Sequence, residues 1–279
     1  MLNELAEAGY SGTELGDWGF MPTDPAKLRA ELTGRSLTMT GAFVPVNFRL
    51  RERHAEGQAL ALKTARLIAA VGDPSTPPFL VLADDSPDVP ARMANAGRVT
   101  PAIGLSDAEW AVYAEGVNAV ARAVNRETGL RCVFHHHTGG YIELPDETAR
   151  LLALTDPAVV GLVLDTGHYS FGTTRPTAQG VLDALERFAS RLWYIHFKDC
   201  DPAVALRSQA EKWDYHESVK HGIFCELGKG VVPFDKVVQW LRARNYSGFV
   251  TVEQDVLPGM GTPRESAARN RAYLRKVGV

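Results

Sequence analysis

The chain has 279 residues, 45% of them hydrophobic, and a formal net charge of −3. That is ample for one large core. It offers no basic block to track a phosphate backbone and no apolar run near the ~20 residues of a membrane span, so neither nucleic acid nor membrane is an expected partner. With no charged-then-apolar leader, and with Cys132, Cys200 and Cys225 odd in number and too far apart for a disulfide framework or a CxxC zinc site, the expected setting is the reducing cytoplasm.

Strand and helix patterns alternate along almost the whole chain. A helical stretch over residues 1–9 precedes a short strand at Gly12–Leu15. Asp24 caps a helix to about Gly34, with Pro25 in its first turn. Leu37–Phe43 reads as strand, Gln58–Val71 as amphipathic helix and Phe79–Ala83 as strand. A long helix follows from Asp107 to about Thr128, with Gly129 placed to end it. Strand Arg131–His135, helix Asp146–Leu154, strand 160–165 and helix 178–189 come next. Strand 192–196, helix 233–244, strand 248–252 and helix 263–276 complete the series.

Such alternation implies parallel βαβ units, and the length suits one α/β domain of the TIM (β/α)8 type over residues 1–279. Seven strands are counted and the first element is a helix, so the barrel is expected to lack its first β-strand. The longest irregular segments, 84–106 and 199–231, are expected on the functional rim or as its lid.

Three apolar strands end in metal-competent side chains. Val160–Leu164 leads to Asp165, Leu192–Ile195 to His196, and Gly248–Val252 to Glu253. Strand alternation puts Asp165 on the face of Val163, and His196 on the face of Tyr194 and Lys198. Barrel enzymes gather such strand ends around one axis. Carboxylate plus imidazole ligation suits Mn²⁺, Co²⁺, Mg²⁺ or Zn²⁺. A fourth ligand is expected from the 131–143 region, either His135 or Glu143, the latter curling back through Gly139–Gly140.

Singly, each residue has a plainer reading. An Asp after a strand is usually a cap, a lone histidine a core or surface residue, and a terminal Glu an ion-pair partner. Three strands tipped in register argue against that reading for the set. For His136, His54, His216 and His221 the structural or surface reading is preferred. Lys198, two residues past His196, would point into the same mouth as a proton shuttle or oxyanion stabiliser, or else pair with Asp199 or Asp201. His168 would reach the same cavity. Glu14 and Trp18 offer an acid and an aromatic face that suit a polyol, although Trp18 as rim packing is an equal reading.

The segments GYSGTELGDWGFMPTDP (9–25), FHHHTGGYIELPDE (134–147), VGLVLDTGHYSFG (160–172), LWYIHFKD (192–199), ELGKGVVPF (226–234) and FVTVEQD (249–255) resemble the sugar isomerase/epimerase superfamily of xylose isomerase-like barrels. Within it the chain is most similar to inosose (2-keto-myo-inositol) dehydratases. The likeness covers nearly the whole chain. The DTGH and IHxKD segments are shared across the superfamily, whereas the GTELG opening and the HxHTG segment are narrower.

The resemblance implies a metal held by Glu143, Asp165, His196 and Glu253, with His135 the alternative to Glu143. It implies a catalytic pair, His137 and Lys198, and substrate contacts from Glu14, Trp18 and His168. The implied cofactor is a divalent ion, first Mn²⁺ or Co²⁺. The implied reaction is dehydration of a keto-polyol through a metal-held enediolate. Epimerisation of a ketose or keto-sugar is the nearest alternative and a non-catalytic polyol-binding barrel a further one. An abasic-site endonuclease is disfavoured by the acidic balance. A small keto-sugar or keto-polyol is the expected partner, and a homo-oligomer is left open.

Overall fold

A computed structural model describes residues 1–85, 89–173 and 176–279. Its elements in chain order begin α1 (Leu2–Ala8), β1 (Gly12–Glu14), α2 (Pro25–Thr33), β2 (Thr38–Val46), α3 (His54–Val71), β3 (Phe79–Asp84) and α4 (Pro90–Ala94). There follow α5 (Asp107–Thr128), β4 (Cys132–His135), α6 (Pro145–Leu154), β5 (Val160–Asp165), α7 (Thr166–Gly172), α8 (Ala178–Phe188) and β6 (Leu192–Phe197). The chain closes with β7 (Asp199–Cys200), α9 (Pro202–Glu211), α10 (Tyr215–Lys220), β8 (Phe224–Cys225), α11 (Phe234–Ala243), β9 (Val250–Val252) and α12 (Pro263–Val277).

Seven strands form one parallel sheet in the order β1-β2-β3-β4-β5-β6-β9, rolled into a nearly closed barrel with helices outside. This is the expected α/β barrel with seven strands. Between the β1 and β9 edges lies a cleft of ≈ 390 Å³, lined by Gly12, Thr13, Glu14 and Phe249 to Glu253. The chain ends are tied across it. Arg271 Nε donates to the Gly9 carbonyl at 2.8 Å, and the Tyr10 hydroxyl to the Ala267 carbonyl at 3.0 Å.

Local signals mostly work as read. Asp24 accepts from Lys27 N–H at 2.9 Å, and Ser106 and Glu109 close a capping box at the head of α5. Differences lie in short elements. Helix α7 starts directly at Thr166, and the segment 199–231, read as irregular, holds α9, α10 and the antiparallel β7–β8 pair. The segment 84–106 holds α4; its residues 86–88 lie outside the described residues. No described helix is long and apolar enough to cross a membrane.

Inside the barrel, Val81, Val133, Val163 and Tyr194 form a buried layer. Gly161 makes room for it: a Cβ there would come within 2.3 Å of the Trp193 ring. Two residues further along each strand, alternation lifts His135, Asp165 and His196 above this layer into the mouth. Apolar floor and polar rim follow from one period-2 pattern.

Candidate active site

Four groups, His135, Asp165, His168 and Glu253, place one ligand atom each within 4.8 Å of one another. His135 Nε2 lies 3.8 Å from Asp165 Oδ2 and 4.0 Å from Glu253 Oε1. His196, fully buried, reaches Glu253 Oε1 with Nδ1 at 2.7 Å and Glu14 Oε1 with Nε2 at 2.8 Å. Both ring nitrogens of His135 and Asp165 Oδ2 are buried without a hydrogen-bond partner. Burying such atoms unpaired is costly, and here they converge. A divalent cation would satisfy them together, and the mixed nitrogen and oxygen set suits a borderline-to-hard ion.

The surroundings orient these groups. Asp165 Oδ1 accepts from His168 N–H at 2.7 Å and so caps α7, leaving Oδ2 free. His136 faces the other way, its Nε2 accepting from Asp165 N–H at 3.2 Å and its ring edge-on to Tyr169. Burial would lower the His196 pKa, but the Glu14 and Glu253 carboxylates on either side raise it well above the usual imidazole value. Burial would raise that of Glu253; Lys198, His196 and His135 hold it well below the usual carboxylate range instead.

His168 serves the pocket differently. Its Nδ1 lies 3.3 Å from the Thr138 amide, which can only donate, so the proton of the neutral ring sits on Nε2. Burial, reinforced by His137 and Lys198, keeps it neutral by lowering its pKa well below the usual value. In that tautomer an N–H faces the pocket as a hydrogen-bond donor.

His137 has the opposite tautomer. Its Nδ1 lies 2.8 Å from the Thr138 carbonyl, which can only accept, so Nδ1 carries the proton and the lone pair is on Nε2, 3.5 Å from the Tyr215 hydroxyl. Burial, with His135 and Lys198 nearby, lowers its pKa to about 3. Its ring lies on that of His168, centroids 3.9 Å apart.

The Lys198 ammonium sits 3.3 Å from Glu253 Oε2 and 3.0 Å from Asp255 Oδ2, 4.6 Å above the Phe224 ring. Burial would lower its pKa; Glu253, Asp255 and Asp165 raise it, so it stays charged. Gly167 explains its own place in the DTGH segment: a Cβ there would lie 2.8 Å from Lys198 Cβ and Cγ.

Glu143 is the sequence expectation that the structure does not bring to the cluster. Its Oε1 accepts from Gly97 N–H at 2.9 Å and its Oε2 from Gly139 N–H at 2.6 Å, so both oxygens are spent on backbone. His135, held open as the alternative, stands at the cluster instead. Glu14 lies beside it, bonded to His196 and to the Tyr194 hydroxyl at 2.8 Å. Trp18, 37% exposed, takes the Lys63 ammonium over its ring at 3.9 Å.

Three neighbours have no clear signal in sequence: Asp255, Tyr215 and Phe43. Phe43 lies edge-on to His135 at 5.9 Å and is 38% exposed. It shares a strand face with Gly41.

The loop carrying His137 is clamped from behind. Buried Arg92 grips both oxygens of Glu147 at 2.9 and 2.8 Å and donates Nε–H to the Gly140 carbonyl at 2.7 Å. Asp84 Oδ2 accepts from Tyr141 N–H at 3.0 Å. On the other flank, Asp199 accepts from the amides of Cys200, Gly228, Gly230 and Val232, which fixes the ELGKGVV loop.

Residues 2–277 match the family model described as xylose isomerase-like TIM barrel. Among curated relatives, the inosose dehydratase of Bacillus licheniformis is 30% identical over 275 residues, covering 98% of this chain and 86% of the relative. That of Geobacillus kaustophilus is 29% identical over 277 residues, covering 99% and 86%. Among solved structures, apo 3-keto-D-glucoside 4-epimerase from E. coli superposes with a TM-score of 0.69 at 17% identity, covering 99% of this chain and 92% of that one. A xylose isomerase-like TIM barrel protein from Mycobacterium smegmatis, in complex with magnesium, does so with a TM-score of 0.65 at 16% identity, covering 99% and 86%.

Proposed function

The chain belongs to the xylose isomerase-like TIM barrel family, and from that premise we propose that it is a metal-dependent carbohydrate lyase that dehydrates a keto-polyol such as 2-keto-myo-inositol. The observation that carries the reading is the pairing of a lone-pair-bearing imidazole with an ammonium beside one ligand cluster. The His137 and His135 ring centroids are 5.7 Å apart, and Lys198 Nζ is 3.3 Å from Glu253 Oε2.

His135, Asp165 and Glu253 would hold the ion, with His196 joining through Nδ1 on giving up the proton it shares with Glu253; Mn²⁺ or Co²⁺ come first and Zn²⁺ or Mg²⁺ are alternatives, and the Mycobacterium neighbour is in complex with magnesium. When bound, it would polarise the ketone and stabilise negative charge on its oxygen. His137 Nε2 then takes the proton from the carbon α to the ketone. Lys198 gives a proton to the hydroxyl leaving the β carbon as water. The enol that remains tautomerises to the dione. The contacts support these roles: His137 Nδ1 faces the Thr138 carbonyl, which leaves the lone pair on Nε2, and Lys198 sits between the Glu253 and Asp255 carboxylates. His168 Nε2–H would steady a substrate hydroxyl, and Phe43 offers a ring face to substrate C–H groups.

Epimerisation shares the first deprotonation and differs only in returning the proton to the opposite face. The likeness to a keto-glucoside epimerase supports it as the second reading. Metal-reconstituted protein should be incubated with 2-keto-myo-inositol and a ketose panel, watching dione absorbance and epimer formation. Dehydration is expected, with His137→Ala and Lys198→Ala retaining metal and losing turnover by about 100-fold or more. Epimer without dione would select the second reading. Wild-type rates in both variants would end the assignment of roles.

A further inference from the structure

Strand β2 is covered on one face only. Ala42, Val44 and Val46 are buried, and a Cβ on Gly57 of α3 would lie 2.3 Å from Val46 Cγ1, so the outer face is closed against that helix. Phe43 and Pro45, of the other parity, are exposed. Register puts them on the inside of the barrel. Phe43 pairs with Val81 of the buried inner layer, and Pro45 with Ala83, which pairs in turn with His135. The Phe43 ring stands at 83° to the His135 ring, centroids 5.9 Å apart, and keeps 38% of its surface exposed.

Packing does not account for that bare ring. Single apolar residues on a convex surface need no explanation, but this one lines a concave site beside the ligand cluster, where a ligand would cover it. The charged groups of the mouth come from the other end of the sheet order. Lys198 follows β6, Glu253 and Asp255 follow β9, and the ammonium lies 3.3 and 3.0 Å from the two carboxylates. A molecule held between these sides needs an apolar face and a polar edge. A six-membered ring polyol has that division, with hydroxyls around its rim and axial C–H bonds on its faces. An open-chain sugar interleaves the two kinds of group along a flexible chain, and ordering it costs rotational freedom that a ring has already given up.

We propose that Phe43 is a specificity-determining residue: its bare ring takes the C–H face of a ring-closed polyol and so selects cyclic keto-polyols over open-chain ketoses. The proposal deepens the keto-polyol reading and rests on it for the reaction. Phe43 thereby fills the part expected of Trp18, whose ring is taken by the Lys63 ammonium instead.

The test compares two inert polyols of six hydroxyls each, scyllo-inositol, a ring with all of them equatorial, and mannitol, an open chain. Ligand-observed NMR titration of Mg²⁺-supplemented protein gives both dissociation constants for wild type, Phe43→Tyr and Phe43→Ala. Wild type and Phe43→Tyr should hold scyllo-inositol at least about fivefold more tightly than mannitol. Phe43→Ala should lose about fivefold in affinity for scyllo-inositol alone, with an unchanged melting temperature and a similar loss in kcat/KM on 2-keto-myo-inositol. A ring preference that survives in Phe43→Ala, an equal weakening of both ligands, or no preference in the wild type overturns the proposal. Should the wild type turn over no keto-polyol, the binding arm still decides: a preference that follows the aromatic ring sustains the selectivity, and only the reaction assignment falls.

Discussion

Replacing Glu143 by Gln should change how stability depends on pH. Glu143 is 1% exposed and holds two amides, Gly97 and Gly139, that join the loop after α4 to the loop after β4. Burial pushes its pKa up from 4.5 to about 7, against the opposing pull of the two amides and Arg92. The folded state therefore binds more protons than the unfolded chain between these values. A raised carboxyl pKa adds stability below about 4.5, and that contribution is lost as pH rises through about 7. The difference of about 2.5 units, at 1.36 kcal/mol each, bounds the effect at about 3 kcal/mol. Gln cannot ionise, so subtracting its stability removes every other titration in common. Urea denaturation followed by tryptophan fluorescence at pH 5, 6, 7 and 8 gives both curves. The wild-type minus variant difference should fall by about 2–3 kcal/mol across that range. A difference flat to about 0.5 kcal/mol, or one rising with pH, would refute the reasoning, because Glu143 would then ionise as an ordinary paired carboxylate.

Arg92→Met should lower unfolding free energy by about 3–5 kcal/mol, since it strands Glu147 in a largely buried pair; a loss under about 1 kcal/mol would contradict the clamp. Asp199→Asn turns an acceptor of four amides into one that presents NH₂ to some of them. It should cost about 2–4 kcal/mol and speed amide exchange at Gly228, Gly230 and Val232; unchanged exchange there would contradict it.

Much of the site was legible because strand alternation carries information a short way beyond each strand. Asp165, His196 and Lys198 were placed on one mouth by counting residues in steps of two, and they stand there. Asp165 also shows that its two readings, cap and ligand, were not exclusive: one oxygen caps α7 and the other faces the cluster. Glu143 failed because the return path of the 137–144 loop depends on tertiary partners, Arg92 and Glu147, that no local spacing reveals. Helices α9 and α10 were readable in principle, since Asp201-Pro202 and Asp214 are capping signals, but their apolar faces are short and broken. Tyr215 was not readable at all. Its contact with His137 exists only because the helix carrying it lands on a loop 78 residues earlier.

The most direct test of the central claim joins metal to chemistry in one protein. Elemental analysis of the purified chain, paired with turnover of 2-keto-myo-inositol before and after chelation, reads both at once. The account predicts one divalent ion per chain and dione formation, both lost on chelation and restored by Mn²⁺ or Co²⁺, with Asp165→Asn and Glu253→Gln deficient in metal and Glu143→Gln still loaded. Full dehydration by metal-free protein, or metal lost from Glu143→Gln and kept by Asp165→Asn, would contradict it.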